Sequence, residues 1–140
     1  MAWQSYGLDR VAQKLVLRAQ EIDNDSEIRG SDCLREAYKM RTSVAYGLER
    51  FWGEHLRHKG KEDKKAAYWK ETWNALVEIM ADAKVTLPNN ENPKTMSEQL
   101  WGERSINSSG TKLNSEDQKA ALAVLTQLCD CIVWWTQRYK

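Results

Sequence analysis

Apolar residues recur at helical spacing along most of this 140-residue chain, and the pattern is strongest between residues 114 and 140. That segment opens with Ser115 and Gln118, which have the spacing of a helix capping box. The apolar positions on its main face are Ala121, Val124, Leu125, Leu128, Cys131, Ile132 and Trp135, and Leu122, Cys129, Val133 and Trp134 widen that face. Because such a helix is normally buried among several neighbours, the pattern predicts an apolar C-terminal helix at the centre of a bundle.

The same periodicity predicts three more long helices, over residues 3–22, 32–59 and 62–83. Two prolines and three asparagines mark residues 84–94 as a loop. A short helix is predicted over residues 95–104, and residues 105–111 are expected to be flexible. Since no segment alternates like a strand, the predicted fold class is all-α, with residues 1–140 forming a single four- to five-helix bundle.

Segment 32–59 separates into a buried side and a cationic side when it is drawn as one helix. The positions on the buried side are Cys33, Ala37, Met40, Val44, Leu48, Phe51 and His55. The positions on the opposite side are Arg35, Lys39, Tyr46, Arg50 and Arg57. At 1.5 Å per residue, a straight helix would extend the row from Arg35 to Arg57 over roughly 33 Å.

The charge distribution makes this cationic side more distinctive than the net charge of +1 suggests. Residues 29–70 contain eleven Lys and Arg but six Asp and Glu, so this part carries +5 and the remainder −4. Arg binds phosphate in a bidentate manner, and an aromatic ring can stack on an unpaired base. The predicted nucleic-acid-binding residues are Arg35, Lys39, Tyr46, Arg50, Arg57, Lys59, Lys61, Lys64 and Lys65. The alternative interpretation is the ordinary solvated face of a helical bundle.

Other kinds of chemistry find little support in the sequence. His55 and His58 are three residues apart, but His55 faces the apolar side and no Glu-x-x-His pairs are available on facing helices, so no metal is expected. Cys129 and Cys131 would point apart on a helix and are expected to be core thiols. With no phosphate-binding Gly-rich loop and no catalytic triad pattern, neither an enzyme nor a cofactor is predicted.

Cellular location can also be predicted from these patterns. Three cysteines, an odd number without framework spacing, do not indicate a disulfide-stapled secreted domain. The N-terminal residues lack the pattern of a signal peptide, and no stretch approaches the roughly 18 apolar residues of a membrane span. A cytoplasmic location with reduced thiols is therefore expected.

Seven tryptophans are unusual for this length, and six of them divide into two groups. Trp69, Trp73, Trp101 and Trp135 fall on faces that are predicted to be buried. Trp3 and Trp134 are less clearly assigned to the core. An exposed Trp beside an Arg would indicate an interface, because both residue types are enriched at binding hot spots.

The helical pattern, the basic side, the missing catalytic set and the apolar C-terminal segment AALAVLTQLCDCIVWW together resemble one family. This is the small helical subunit of multi-subunit (class 1) CRISPR–Cas effector complexes, which in several subtypes corresponds to the C-terminal part of the large subunit. The resemblance implies a non-enzymatic assembly subunit of an antiviral defence complex. It implies contacts with a crRNA-bound target or displaced strand, with other effector subunits and with further copies of itself.

A second hypothesis is a helical protein-interaction or adaptor module without a nucleic-acid role. In that case the surfaces that carry tryptophan, and not the basic residues, would make the binding contacts. Co-purification of nucleic acid with the chain distinguishes the two hypotheses.

Overall fold

The computed structural model of the chain describes residues 3–89, 92, 94–96 and 115–139. The helices in these ranges are α1 (Trp3–Asp23), α2 (Glu36–Ser43), a 3-10 turn (Val44–Tyr46), α3 (Leu48–His58), α4 (Asp63–Asp82) and α5 (Ser115–Tyr139). Residues 94–96 are also helical, and the described ranges contain no β-strand. The predicted all-α fold is confirmed.

The three longest helices closely match the segments that the sequence predicts. α1, α4 and α5 begin and end within one residue of the predicted bounds 3–22, 62–83 and 114–140. Residues 85–89 lie outside any helix or strand, as expected for the predicted loop. Most of the predicted helix 95–104 and the whole of residues 105–111 lie outside the described residues.

The prediction of one continuous helix over residues 32–59 is wrong. The segment is divided into α2, the 3-10 turn and α3, and the break is at Gly47, whose φ is 99°. A residue with a side chain rarely adopts this backbone conformation, whereas glycine adopts it without steric cost. The consequence is that Arg35 and Arg57 lie on helices with different axes, so no single straight row of 33 Å connects them.

The buried side predicted for this segment is nevertheless confirmed. Its seven positions, Cys33, Ala37, Met40, Val44, Leu48, Phe51 and His55, are all buried. At the start of the segment, the Asp23 carboxylate accepts hydrogen bonds from the backbone N–H groups of Cys33 and Leu34, at 2.7 and 3.1 Å. The last residue of α1 therefore holds the chain as it enters α2.

The core lies between α5, α1 and α4. α5 packs along α1 and α2 and also contacts α4, while α3 packs mainly on α4. The fully buried large side chains include Trp69 and Trp73, as predicted, and also Trp52. Trp135 is only half-buried, and the predicted core position Trp101 lies outside the described residues.

α5 buries one broad face and leaves the other in solvent. Ala121, Leu125, Leu128, Cys129 and Ile132 are fully buried. Ala123, Gln127, Asp130, Trp134 and Gln137 are exposed. The exposed strip of α5 is therefore wider than the sequence pattern suggests, and it includes a tryptophan.

Candidate nucleic-acid interface

Seven of the nine predicted binding residues lie on the surface. Arg35, Lys39, Tyr46, Arg50, Arg57, Lys59 and Lys61 are exposed, whereas Lys64 is buried and Lys65 is mostly covered. Because α2 and α3 are separate helices, the exposed residues form short groups and not one row. Their value for binding depends on whether the protein's own acids already neutralise them.

Arg35 and Lys39 lie one turn apart at the start of α2. Arg35 is the residue before the first helical position, and among the described residues its guanidinium has no ion-pair partner. The Lys39 side chain is 62% exposed, and its Nζ lies 3.8 Å from Oε2 of Glu36. Although Glu36 is buried, the Lys39 ammonium is exposed and this contact is long for an ion pair, so Lys39 can still approach an anion in the solvent.

Tyr46 and Arg50 form a second exposed group. Tyr46 is 69% exposed at the end of the 3-10 turn, and Arg50 follows on the first turn of α3. The guanidinium carbon of Arg50 lies 5.9 Å from the centre of the Tyr46 ring, within the range of a cation–π contact. No acid in the described part of the chain forms an ion pair with Arg50. The pair thus presents an aromatic face beside a positive charge that no described acid neutralises.

Arg57 is not available in the way that the sequence predicts. Its Nε and Nη2 atoms donate to Glu54 Oε1 at 3.0 and 2.8 Å, and Nε also lies 3.1 Å from Oε2. These hydrogen bonds hold the pKa of Arg57 above its usual value. Although the guanidinium side chain is 60% exposed, its charge is balanced by a neighbour one turn earlier on α3.

Glu36 is the centre of a buried polar cluster. Its residue exposure is 5%, and its Oε1 accepts a hydrogen bond of 3.0 Å from Trp69 Nε1. His58 Nε2 lies 3.6 Å from the same oxygen, and Lys65 Nζ lies 3.7 Å from Oε2. This one carboxylate therefore connects α2, α3 and α4.

His58 belongs to the same cluster and is held neutral. Burial lowers its pKa, and the nearby positive charge of Arg57 lowers it further, although Glu36 and Glu54 act in the opposite direction. A neutral imidazole adds no positive charge to the surface near pH 7. His58 is better described as part of the junction between the helices than as part of an anion-binding surface.

Lys64 and Lys65 are the two predicted binding residues that the structure removes from the surface. Lys64 Nζ donates to the backbone carbonyl oxygen of Asp23 at 2.9 Å, at the C-terminal end of α1. A cation there stabilises unpaired carbonyl groups and the negative end of the helix dipole. The Lys65 side chain is 20% exposed and is directed toward Glu36. Both lysines have structural roles.

The sequence did contain a signal for these inward lysines. Lys64 precedes the buried Tyr68 by four residues, and Lys65 precedes the buried Trp69 by four. Residues four apart lie on the same side of a helix, so both lysines share the buried side of α4. Lys59 and Lys61, on either side of Gly60 in the turn between α3 and α4, are exposed.

The described residues contain no group of three or more His, Cys, Asp or Glu side chains that could hold a metal ion. Cys33 and Cys129 are buried free thiols, and burial raises the pKa of Cys129 to about 12. Among the helices of these ranges, none combines the length and the apolar character needed to cross a membrane.

Comparison of the chain with protein-family models, with curated proteins and with solved structures gives no match. The two most open cationic groups of the described surface are Arg35 with Lys39, and Tyr46 with Arg50.

Proposed function

We propose that this chain is a non-enzymatic nucleic-acid-binding subunit that holds a target or displaced single strand by its phosphates within a CRISPR effector complex. The observation that carries the proposal is the exposed pair of Tyr46 and Arg50, together with exposed Arg35; neither arginine has an acid partner among the described residues. Other cations of the chain, such as Arg57 and Lys64, have internal partners.

Binding a phosphate costs an arginine any ion pair that it already forms within the protein. A guanidinium that already forms a bidentate pair must give up that pair, whereas Arg35 and Arg50 have no such pair in the described residues to lose. Each phosphate that they neutralise releases condensed counterions, which favours binding at low salt. Lys59 and Lys61 extend the positive surface beyond the end of α3.

The single-stranded character of the proposed ligand follows from Tyr46. A ring that is 69% exposed can stack on an unpaired base, while the bases of a duplex are already stacked on one another. Phosphate contacts and stacking carry little sequence information, so binding should tolerate many sequences. This behaviour suits a subunit in which guide pairing, and not the protein, selects the target.

The test compares two double variants of equal charge. Arg35→Gln with Arg50→Gln removes two open cations, and Lys14→Gln with Lys119→Gln removes two exposed cations on α1 and α5. Binding of a fluorescein-labelled 20-nucleotide oligo(U) or oligo(dT) is followed by anisotropy over a series of salt concentrations. The first variant should reduce the slope of log K against log salt by about 1.4, because each single-strand phosphate contact contributes about 0.7. Equal affinity and slope in both variants would contradict the proposal.

Assignment to an effector complex needs a second experiment. A tagged copy of the full chain is purified from its native host, and the co-purifying proteins and nucleic acids are sequenced. The proposal predicts crRNA and effector subunits together with more than one copy of this chain. Recovery of a protein partner without nucleic acid would favour the adaptor hypothesis instead.

A further inference from the structure

The exposed aromatic residues of the described chain follow one pattern. The exposed large hydrophobic side chains in these ranges are Leu17, Tyr46 and Trp134, so two of the three are aromatic. Each of the two aromatic residues has an arginine four positions later, Arg50 after Tyr46 and Arg138 after Trp134. In both pairs the guanidinium lies over the ring. The surface therefore repeats the same combination of an aromatic face and a positive charge.

The second pair has the closer geometry. The guanidinium carbon of Arg138 lies 4.3 Å from the centre of the Trp134 ring, and Trp134 is 49% exposed. In the described part of the chain, Arg138 forms no ion pair with an acid. Its positive charge therefore remains available to an anion that approaches the exposed tryptophan.

Neighbouring rings hold Trp134 in place and leave about half of it exposed. Trp135 packs edge-on against Trp134 at 4.9 Å between ring centres, and it stacks on Tyr139 at 5.8 Å. Both neighbours are tied to α1: Trp135 Nε1 donates to Asp9 at 3.3 Å, and the Tyr139 hydroxyl accepts from Gln13 at 3.0 Å. A ring supported in this way loses little freedom when a ligand stacks on it.

The second pair also lies on an element next to the first. The 3-10 turn that ends in Tyr46 contacts α5, and so does α2. Arg41 of α2 forms an ion pair with Asp130 of α5, one helical turn before Trp134. Four residues correspond to about 6 Å along the helix axis, so Trp134 follows closely after the contact between α2 and α5. Because Asp130 is already paired with Arg41, its charge repels an approaching phosphate less.

We propose that Trp134 and Arg138 form a second contact for the single strand, in which an unpaired base stacks on the indole and the guanidinium binds an adjacent phosphate. This inference rests on the proposed function and extends it from α2 and α3 to α5. The ligand class is a single-stranded nucleic acid that is long enough to reach both aromatic–arginine pairs.

The test uses the full chain and four variants. Trp134→Ala removes the stacking surface, Trp134→Phe retains an aromatic ring, and Arg138→Gln removes the charge. Leu17→Ala is the matched control, because it truncates an exposed large hydrophobic residue on α1. Affinity is measured by anisotropy for labelled 20-nucleotide oligo(dT) and for a 20-base-pair duplex. Circular dichroism confirms that each variant is folded.

Trp134→Ala should weaken single-strand binding by roughly fivefold to a hundredfold, the range expected for one stacked base, with Trp134→Phe in between. Trp134→Ala should not change the slope of log K against log salt, whereas Arg138→Gln should lower this slope by about 0.7. Duplex binding should not respond to Trp134→Ala, and Leu17→Ala should resemble the wild type. Quenching of tryptophan fluorescence by oligo(dT) should be smaller in Trp134→Phe.

The outcomes separate this inference from the proposed function. If Arg35→Gln with Arg50→Gln weakens oligo(dT) binding but Trp134→Ala does not, the α5 contact is wrong and the proposed function stands. If the wild type binds no oligo(dT), both the α5 contact and the proposed function are wrong. If Trp134→Ala abolishes capture of a protein partner and leaves oligo(dT) affinity unchanged, α5 carries a protein interface and the inference is overturned.

Discussion

Arg35 and Arg50 differ from Lys64 and Lys65 in what surrounds each charge, although the sequence pattern groups all four together. The two arginines lie on the solvent side of α2 and α3, and no acid of the described chain pairs with them. The two lysines lie on the inner side of α4, where one binds a backbone carbonyl and the other approaches Glu36. A cation therefore indicates a binding surface only when the fold leaves it unpaired.

The largest predicted effect is on stability, and it is expected at the buried polar cluster around Glu36. Glu36→Ala should reduce the free energy of unfolding by about 3 kcal/mol, because it leaves Trp69 Nε1 and the charge of Lys65 without their buried partner. Urea unfolding measures the loss. Glu36→Gln is the control, since it retains an oxygen acceptor for Trp69 and should be less damaging. Equal stability of the wild type and Glu36→Ala would contradict the structural role given to this carboxylate.

Lys64 and Lys61 provide a sharper form of the same comparison. Lys64→Met should lower the free energy of unfolding by about 2 kcal/mol, because the hydrogen bond of a charged group to the Asp23 carbonyl is lost. The exposed Lys61→Met should stay within about 0.5 kcal/mol of the wild type.

Oligonucleotide binding should rank these two lysine variants in the opposite order. Lys61→Met should lower the salt slope of oligo(U) binding by about 0.7, and folded Lys64→Met should leave it unchanged. If Lys64→Met changed the slope more than Lys61→Met, the division between structural and binding lysines would be wrong.

Stability should also depend on pH through His58. Since its pKa is lowered in the folded protein, the unfolded chain binds the proton more readily. Stability should therefore fall as the pH drops below about 6.5, the ordinary pKa of histidine, by at most about 1.4 kcal/mol per pH unit. Urea midpoints between pH 7.5 and 5 measure this loss. The stability of His58→Gln should depend less on pH. An identical pH dependence would mean that a group other than His58 causes it.

The smallest effect is predicted for a variant that removes the acid partner of Arg57 and so leaves its positive charge open to a ligand. Glu54→Gln removes the partner of Arg57 and should raise the affinity for oligo(U) by about twofold, as expected from the modest strength of exposed ion pairs. Glu27→Gln makes the same charge change at another exposed position and serves as the control. Equal gains in both variants would mean that net charge, and not Arg57, determines the result.

Much of the fold could be predicted from the sequence because the spacing of apolar residues along a helix indicates directly which of its sides is buried. The bounds of α1, α4 and α5 and the buried side of segment 32–59 follow from apolar spacing alone. The sequence does not predict the break at Gly47, because an isolated glycine does not disturb a helical wheel. Only the positive φ of its backbone, which is a tertiary outcome, shows that the helix ends there.

The candidate site was harder to predict than the fold, since charge pairing depends on contacts between distant segments. Glu36 and Trp69 are far apart in the sequence, and so are Lys64 and Asp23. No pattern along one helix shows these pairs. What could be predicted was the side of each helix on which a residue lies. That information identifies Arg35 and Arg50 correctly as exposed. The pair between Arg57 and Glu54 is different, because the two residues are three apart on one helix and their spacing alone indicates it.

The most direct test of the central claim is photocrosslinking of a bound strand. A 20-nucleotide oligo(U) containing 5-iodouracil is irradiated in complex with the full chain, and the labelled peptides are identified by mass spectrometry. We predict that Tyr46 carries a crosslinked nucleotide and that the label is reduced in Arg35→Gln with Arg50→Gln. Labelling that avoids Tyr46 altogether, or that is unaffected by removing the two arginines, would contradict the account.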